Sequence, residues 1–336
     1  RRRGLGGQSE KLPSFAPSRE PTMASAASLT HLKNAKESRS KAEATLKKYS
    51  FFGTSASKFE DAAELYGDAG KMFVMAKSYA EGTDCYEKSA EYYVKTKSEF
   101  DAATARVKAA EAAHKLSDFE RCAFNYKLAA NGYAGLGKCA MAAGAAKKCG
   151  ELLEETANGE KTALSGAVDV YKEAIDFFEA ENRPQAANGC REKVAYLSAT
   201  LGNYDEATAA FEELGKAALQ SNLGKFNAKK WFTAAVLCAL ARDDSVKAGN
   251  KLLEYSGLDY SFDSSTRDHQ LCSSLIDAVD ANDADAVAAA ASEYDKVKRL
   301  DPWMTKILLA IKATLDTPGG EPAPDDADAE DLPDLT

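Results

Sequence analysis

The sequence predicts an all-α protein, a solenoid of antiparallel helical hairpins closed by a C-terminal helical bundle. Three observations lead there. An aromatic and alanine stripe recurs at a step of about forty residues, within the range of helical-repeat arrays. Inside each copy the stripe residues stand seven apart, which keeps them on one face of a helix. Ala is abundant, and between residues 23 and 316 Pro occurs only at Pro184 and Pro302, a balance that favours helix.

Residues 1–22 come first and read differently. Arg1 to Arg3, several Ser and three Pro indicate a disordered leader, upstream of a native start at Met23. Glu10, Glu20 and the prolines disfavour a transit peptide.

The repeat region is expected over residues 23–224. Its stripes are Tyr79, Tyr86 and Tyr93 with Ala90, then Phe119, Tyr126 and Tyr133 with Ala130. Leu164, Tyr171 and Phe178 with Ala174 follow, and the pattern fades through Tyr204, Phe211 and Ala218. The steps are 40, 45 and 40 residues, the longer one reflecting extra loop residues around Ala157 to Thr162. Partner helices are expected at Lys58–Lys77, Phe100–Leu116, Met141–Glu155 and Gln185–Leu201. Gly135 and Gly137, Asn158-Gly159, Asn182-Arg183-Pro184 and Gly202-Asn203 mark the breaks. The period is close to that of a tetratricopeptide (TPR-like) solenoid, without that repeat's Trp, Leu-Gly and Pro signature. The stripes are expected in the core, with other side chains on a long flank facing an elongated partner.

The period stops near Asn222. Residues 225–316 are expected to form a compact bundle with a turn-rich break at Ser256 to Ser265. Trp303, Ile307, Leu308, Ile311 and Leu315 make an apolar stripe that docks the last helix. Residues 317–336 are rich in Pro and Asp and read as a flexible acidic tail.

A net charge of −9 and a pI near 5.1 exclude non-specific binding to nucleic acid. The longest apolar run, Trp231 to Ala241, is too short to span a bilayer. The seven cysteines are scattered with no Cys-x-x-Cys pair, as for reduced thiols of a cytoplasmic protein. Gly132 to Cys139 nearly spells a phosphate-binding loop, but Cys139 stands where that loop needs Ser or Thr for magnesium. Asp280, Asn282, Asp283 and Asp285 lack the Gly and closing Glu of a calcium loop. His31, His114 and His269 are isolated from one another, and no Gly-x-Ser-x-Gly elbow occurs. No enzyme, cofactor or metal is expected.

Three segments carry a specific likeness. The first runs from Phe51-Phe52-Gly53 through Tyr66 to Ala69–Lys77; the second is Ser221–Cys238; the third, Glu293–Leu315, contains Arg-Leu-Asp-Pro-Trp and precedes an acidic end. Together they resemble the soluble NSF attachment protein (SNAP) family. The Leu-Asp-Pro-Trp run and the penultimate Leu335 favour its α type over the γ type. A generic repeat scaffold for peptide ligands would leave the Phe pair and acidic tip unexplained. The resemblance implies a twisted sheet of helical hairpins and a C-terminal bundle. It also implies a cytoplasmic adaptor, peripherally associated with membranes, that binds SNARE complexes and recruits and stimulates the NSF ATPase.

The same resemblance implies roles for particular residues. Phe51 and Phe52 would touch the membrane. Lys225 and Lys229, with Leu223 and Phe226, would face the acidic SNARE four-helix bundle. Two lysines that many members present to that bundle align with Gly144 and Gly189; nearby Lys138, Lys147, Lys148, Arg191 and Lys193 would replace their charge. At the tip, Asp331, Leu332, Asp334 and Leu335 would engage NSF.

Overall fold

The computed structural model describes residues 23–47, 55–222 and 224–316. Among the described residues there are fourteen α-helices, one 3-10 turn and no strand. They fall into two compact units, one ending at Ser98 and the other beginning at Glu99. Phe51, Phe52, Leu223, Asp331, Leu332, Asp334 and Leu335 lie outside the described residues.

The first unit holds α1 (Met23–Lys47), α2 (Ser55–Met75) and α3 (Tyr79–Lys95). Each helix offers a row of small residues, so backbones approach closely. Ala35, Ala42, Ala69, Tyr66, Phe73 and Cys85 form the core. Tyr86 of α3 lies over Gly70 of α2, where a Cβ would come within 2.9 Å of its ring. Tyr92 stacks on both Phe59 and Tyr66, and the Ser89 hydroxyl donates to the Ala63 carbonyl at 2.8 Å.

The second unit continues with α4 (Glu99–His114), α5 (Phe119–Gly135), α6 (Cys139–Thr156), α7 (Lys161–Ala180), α8 (Pro184–Thr200) and α9 (Tyr204–Leu219). Each of these packs on the next. The 3-10 turn Gly224–Asn227 then leads into α10 (Ala228–Ala241), followed by α11 (Ser245–Leu258), α12 (Arg267–Asp280), α13 (Ala284–Asp295) and α14 (Pro302–Asp316). Here sequential pairing gives way to a bundle, because α10 packs against α9, α11, α12 and α14. Its residues from Phe232 to Ala241 are all buried, as expected of a helix apolar on every side.

Most connections between successive helices of a unit hold a residue with positive φ: Lys77 in the first unit, and Ser117, Gly137, Asn158 with Gly159, Asn182, Gly202, Asp243 and Asn282 in the second. Lys77, Lys97, Ser117 and Gly137 stand twenty residues apart in the sequence, so each forty-residue step holds two helices of nearly equal length. The backbone of such a turn satisfies the last carbonyls of the preceding helix: the Lys138 N–H donates to the Tyr133 carbonyl at 2.9 Å. That geometry accounts for the segment resembling a phosphate loop. Gly132 to Gly135 end α5, and Gly137 is the left-handed turn. The acidic cluster near Asp280 is likewise local, since Asp283 caps α13 by accepting from the Ala286 N–H at 2.9 Å.

The predicted stripes occupy the core at their middle positions. Tyr86, Tyr126, Tyr171 and Phe211 are buried, as are Ala90, Ala130 and Ala174. Of the outer positions Tyr133, Leu164 and Phe178 are buried as well, whereas Tyr79, Tyr93, Phe119 and Tyr204 are only half-buried. Several boundaries differ from expectation: α2, α4 and α6 run Ser55–Met75, Glu99–His114 and Cys139–Thr156. Lys161 and Thr162 belong to α7, Ser256 and Gly257 to α11, and α8 begins at Pro184 rather than Gln185. Proline suits the first helical position, where its missing N–H has no partner to lose. In α14, Ile307, Leu308, Ile311 and Leu315 are buried as expected, joined by Met304, while Trp303 is only half-buried.

Candidate functional site: a cationic and aromatic face

The even-numbered helices of the second unit share a charged surface. Lys148 of α6 donates to Glu111 of α4 at 3.0 Å, and Lys193 of α8 donates to Glu154 of α6 at 2.7 Å. Glu154 also accepts from the buried Tyr171 hydroxyl of α7 at 2.9 Å. Burial works against the charged form of Lys148, and Glu111 with Tyr126 more than offsets it, holding its pKa above the ordinary lysine value. Lys147 pairs with Glu151 on its own helix at 3.6 Å. Lys138, exposed, immediately precedes α6.

Arg191 is placed differently. Its side chain is only 13% exposed and is gripped by Glu179 at 2.5 Å and Glu213 at 2.6 Å. A third bond reaches the Asn188 side-chain oxygen at 2.6 Å. It therefore ties α7, α8 and α9 together. Gly144 and Gly189 are open, for a Cβ at either would meet nothing within 4 Å.

The start of α10 has the opposite electrostatic character. Lys225 and Lys229 make no ion pair with any described residue, and Phe226 beside them is 68% exposed. The Lys225 ammonium lies 5.5 Å from the Phe226 ring centroid. No acidic residue occupies the first turn of α10. Lysines there sit at the positive end of the helix dipole, which disfavours them by roughly 0.3–1 kcal/mol each. No carboxylate of the described residues offsets that local cost; the Phe226 ring is what lies beside the Lys225 ammonium.

Sequence reasoning missed two parts of this face. One is Lys230, exposed and set over Trp231 at 4.7 Å and Tyr196 at 5.8 Å. The other is the set of carboxylates that neutralise the shifted lysines. Glu111 and Lys148 stand 37 residues apart and Glu154 and Lys193 stand 39 apart, about one repeat. An acid and a base separated by one period was the available signal.

Among the described residues, no group of three or more His, Cys, Asp or Glu side chains could hold a metal ion. No helix there is long and apolar enough to cross a membrane. The fold is that of a helical-hairpin protein, with a charged surface on even-numbered helices of its second unit. The sequence profile described as "Soluble NSF attachment protein, SNAP" matches residues 33–316, so the chain belongs to that family. It is similar to the alpha-soluble NSF attachment protein of Vitis vinifera, 32% identical over 285 residues, covering 85% of this chain and 95% of that protein. The alpha-soluble NSF attachment protein of Mus musculus is 33% identical over 265 residues, 79% of this chain and 87% of that one. The probable vesicular-fusion protein sec17 homolog of Schizosaccharomyces pombe is 30% identical over 267 residues, with 80% and 90% covered.

Proposed function

We propose that this protein is a non-catalytic adaptor that binds SNARE complexes and recruits and stimulates the NSF ATPase, so that the complexes are pulled apart after membrane fusion. The observation that carries the reading is the unneutralised corner of Lys225, Phe226 and Lys229, in a chain matching the attachment-protein family over residues 33–316. An acidic four-helix bundle is its natural complement, with Leu223 adding apolar contact. Charge complementarity speeds encounter and leaves the complex salt-sensitive, which suits a machine that binds and releases.

In this reading residues 23–224 grip the bundle and residues 225–316 close the stack. Residues 317–336 then carry Asp331, Leu332, Asp334 and Leu335 to NSF. Phe51 and Phe52, in the connection before α2, contact the membrane, so the protein works in the cytoplasm as a peripheral membrane component. Lys147, Lys148 and Lys193 reach the bundle by exchanging their internal carboxylates for external ones. Exposed pairs of this kind contribute only about 0–1 kcal/mol, so the exchange costs little. Lys138 adds long-range attraction, while Arg191 acts by holding α7, α8 and α9 in register.

The test is a reconstitution with a soluble SNARE complex and NSF. The protein should bind the complex, and ATP-driven disassembly should depend on it. Absence of both binding and ATPase stimulation would overturn the reading.

A further inference from the structure

We infer that Lys230 is a third cationic anchor for the acidic helical partner, held ready on an aromatic shelf. The inference rests on the adaptor reading and adds a contact residue to it.

The basic residues of α6, α8, α9 and α11 are all committed to carboxylates of the chain. Lys148 goes to Glu111, Lys193 to Glu154, and both Lys216 and Lys251 to Glu212. Lys225, Lys229 and Lys230 have no such partner among the described residues. Lys230 instead stands over the Trp231 and Tyr196 rings. Glu192 and Asp301 act on Tyr196 through space, yet neither forms an ion pair with Lys230.

The shelf beneath Lys230 is fixed. Trp231 stacks on Phe211 at 6.1 Å, Phe211 stacks on Trp303 at 5.6 Å, and Tyr196 meets the Trp303 ring edge-on at 5.3 Å. Four elements, α8, α9, α10 and α14, thus immobilise the surface on which the lysine rests. A lysine steadied in this way loses less freedom on meeting an anion. The rings leave its charge unspent, since a neutral aromatic face steadies the ammonium without cancelling its net charge. Lys225, Lys229 and Lys230 together then offer three unmatched charges beside the exposed Phe226. That pattern fits a helical protein surface bearing carboxylates and apolar side chains.

The test measures binding of the full chain to a soluble, membrane-free SNARE complex across a sodium chloride series. Lys230→Gln should weaken binding about fivefold at low salt and flatten the salt dependence. Lys230→Arg should restore most of it, and Lys216→Gln, whose lysine is already neutralised by Glu212, should change binding less than about twofold. The inference is overturned if Lys230→Gln keeps wild-type affinity and salt slope while Lys225→Glu with Lys229→Glu still abolishes binding. Binding that survives the double reversal as well would move the contact away from this corner and overturn the inference, whereas a wild-type chain that neither binds the complex nor stimulates NSF would sink the adaptor reading itself. A defect confined to phosphatidylserine vesicles, absent with the soluble complex, would assign Lys230 to an anionic membrane and overturn the inference too.

Discussion

The ring of Phe232 fills the space in which a Cβ of Gly215 would stand. Phe232 is fully buried and stacks on Tyr255 at 4.4 Å, so it has no room to withdraw. Gly215→Ala should therefore destabilise by about 1–3 kcal/mol through overpacking, despite the better helix propensity of Ala. Gly144→Ala, in open space on α6, should instead stabilise by up to about 1 kcal/mol. Urea unfolding of the two variants should give midpoints shifted in opposite directions; equal shifts would refute the packing.

Stability should fall on both sides of neutral pH. Burial pushes the thiols of Cys85, Cys149 and Cys190 up to about 11, and those of Cys122 and Cys238 to about 12. Above pH 9 the unfolded chain releases these protons while the folded chain retains them, so stability declines as pH rises towards 12. On the acid side, burial works to raise Glu206 and Glu212. Bonds to Glu206 from Lys172 and Ser198, and to Glu212 from Lys216 and Lys251, outweigh it and hold both below the ordinary value of 4.5. Their contribution is present above pH 4.5 and is lost as pH falls below it. Unfolding free energy measured from pH 3 to 11 should be highest between these limits.

Thiol chemistry should single out one residue. Cys139 is half-exposed, whereas Cys85, Cys122, Cys149, Cys190, Cys238 and Cys272 are buried. Native maleimide labelling followed by peptide mass spectrometry should find Cys139 modified and the other six protected. Rapid modification of any buried cysteine would contradict the packing around it.

The membrane role assigned to Phe51 and Phe52 separates two substrates. Changing both to Ser should reduce liposome binding and slow disassembly of membrane-anchored SNARE complexes. Soluble complexes should be disassembled at nearly the wild-type rate. Equal loss on both substrates would make the pair structural.

The acidic tip can be tested in one NSF stimulation assay. Leu335→Ala should preserve SNARE binding and thermal stability while ATPase stimulation drops. Leu332, three residues earlier, offers the same apolar group, so the double variant should lose more. Full stimulation by the double variant would reduce the tail to a solubilising end.

Much of the fold was legible because its signal is periodic. Seven-residue offsets from Phe119 and Leu164 located α5 and α7, and Asn182 and Gly202 announced their turns chemically. Lys77, Lys97 and Ser117 adopt the same left-handed conformation with no residue preference to betray it. The glycine sockets were also hidden, since Gly70 and Gly215 acquire meaning only when the aromatic of the next helix lies on them. For the site, residue type pointed to Lys225 and Lys229. Charge state was not legible, because Glu111 and Glu154 cancel Lys148 and Lys193 from another helix. Arg191 reads as a free cation in sequence and is a half-buried clamp in space.

The evenly spaced left-handed turns make length a quantised property of this molecule. An α-helix advances about 100° per residue, so one residue inserted within a helix would swing every later stripe position off its seam. Tyr126 or Tyr171 would then face water and a charged neighbour would face the core. Whole hairpins can be gained or lost without that rotation, and single residues are tolerated at helix ends. The longer step from Phe119 to Leu164 is of this kind: α6 has 18 residues against 16 in α4, and α7 begins at Lys161, ahead of Leu164, while the linker 157–160 is no longer than 115–118. The repeat can thus grow or shrink by whole hairpins without losing its core.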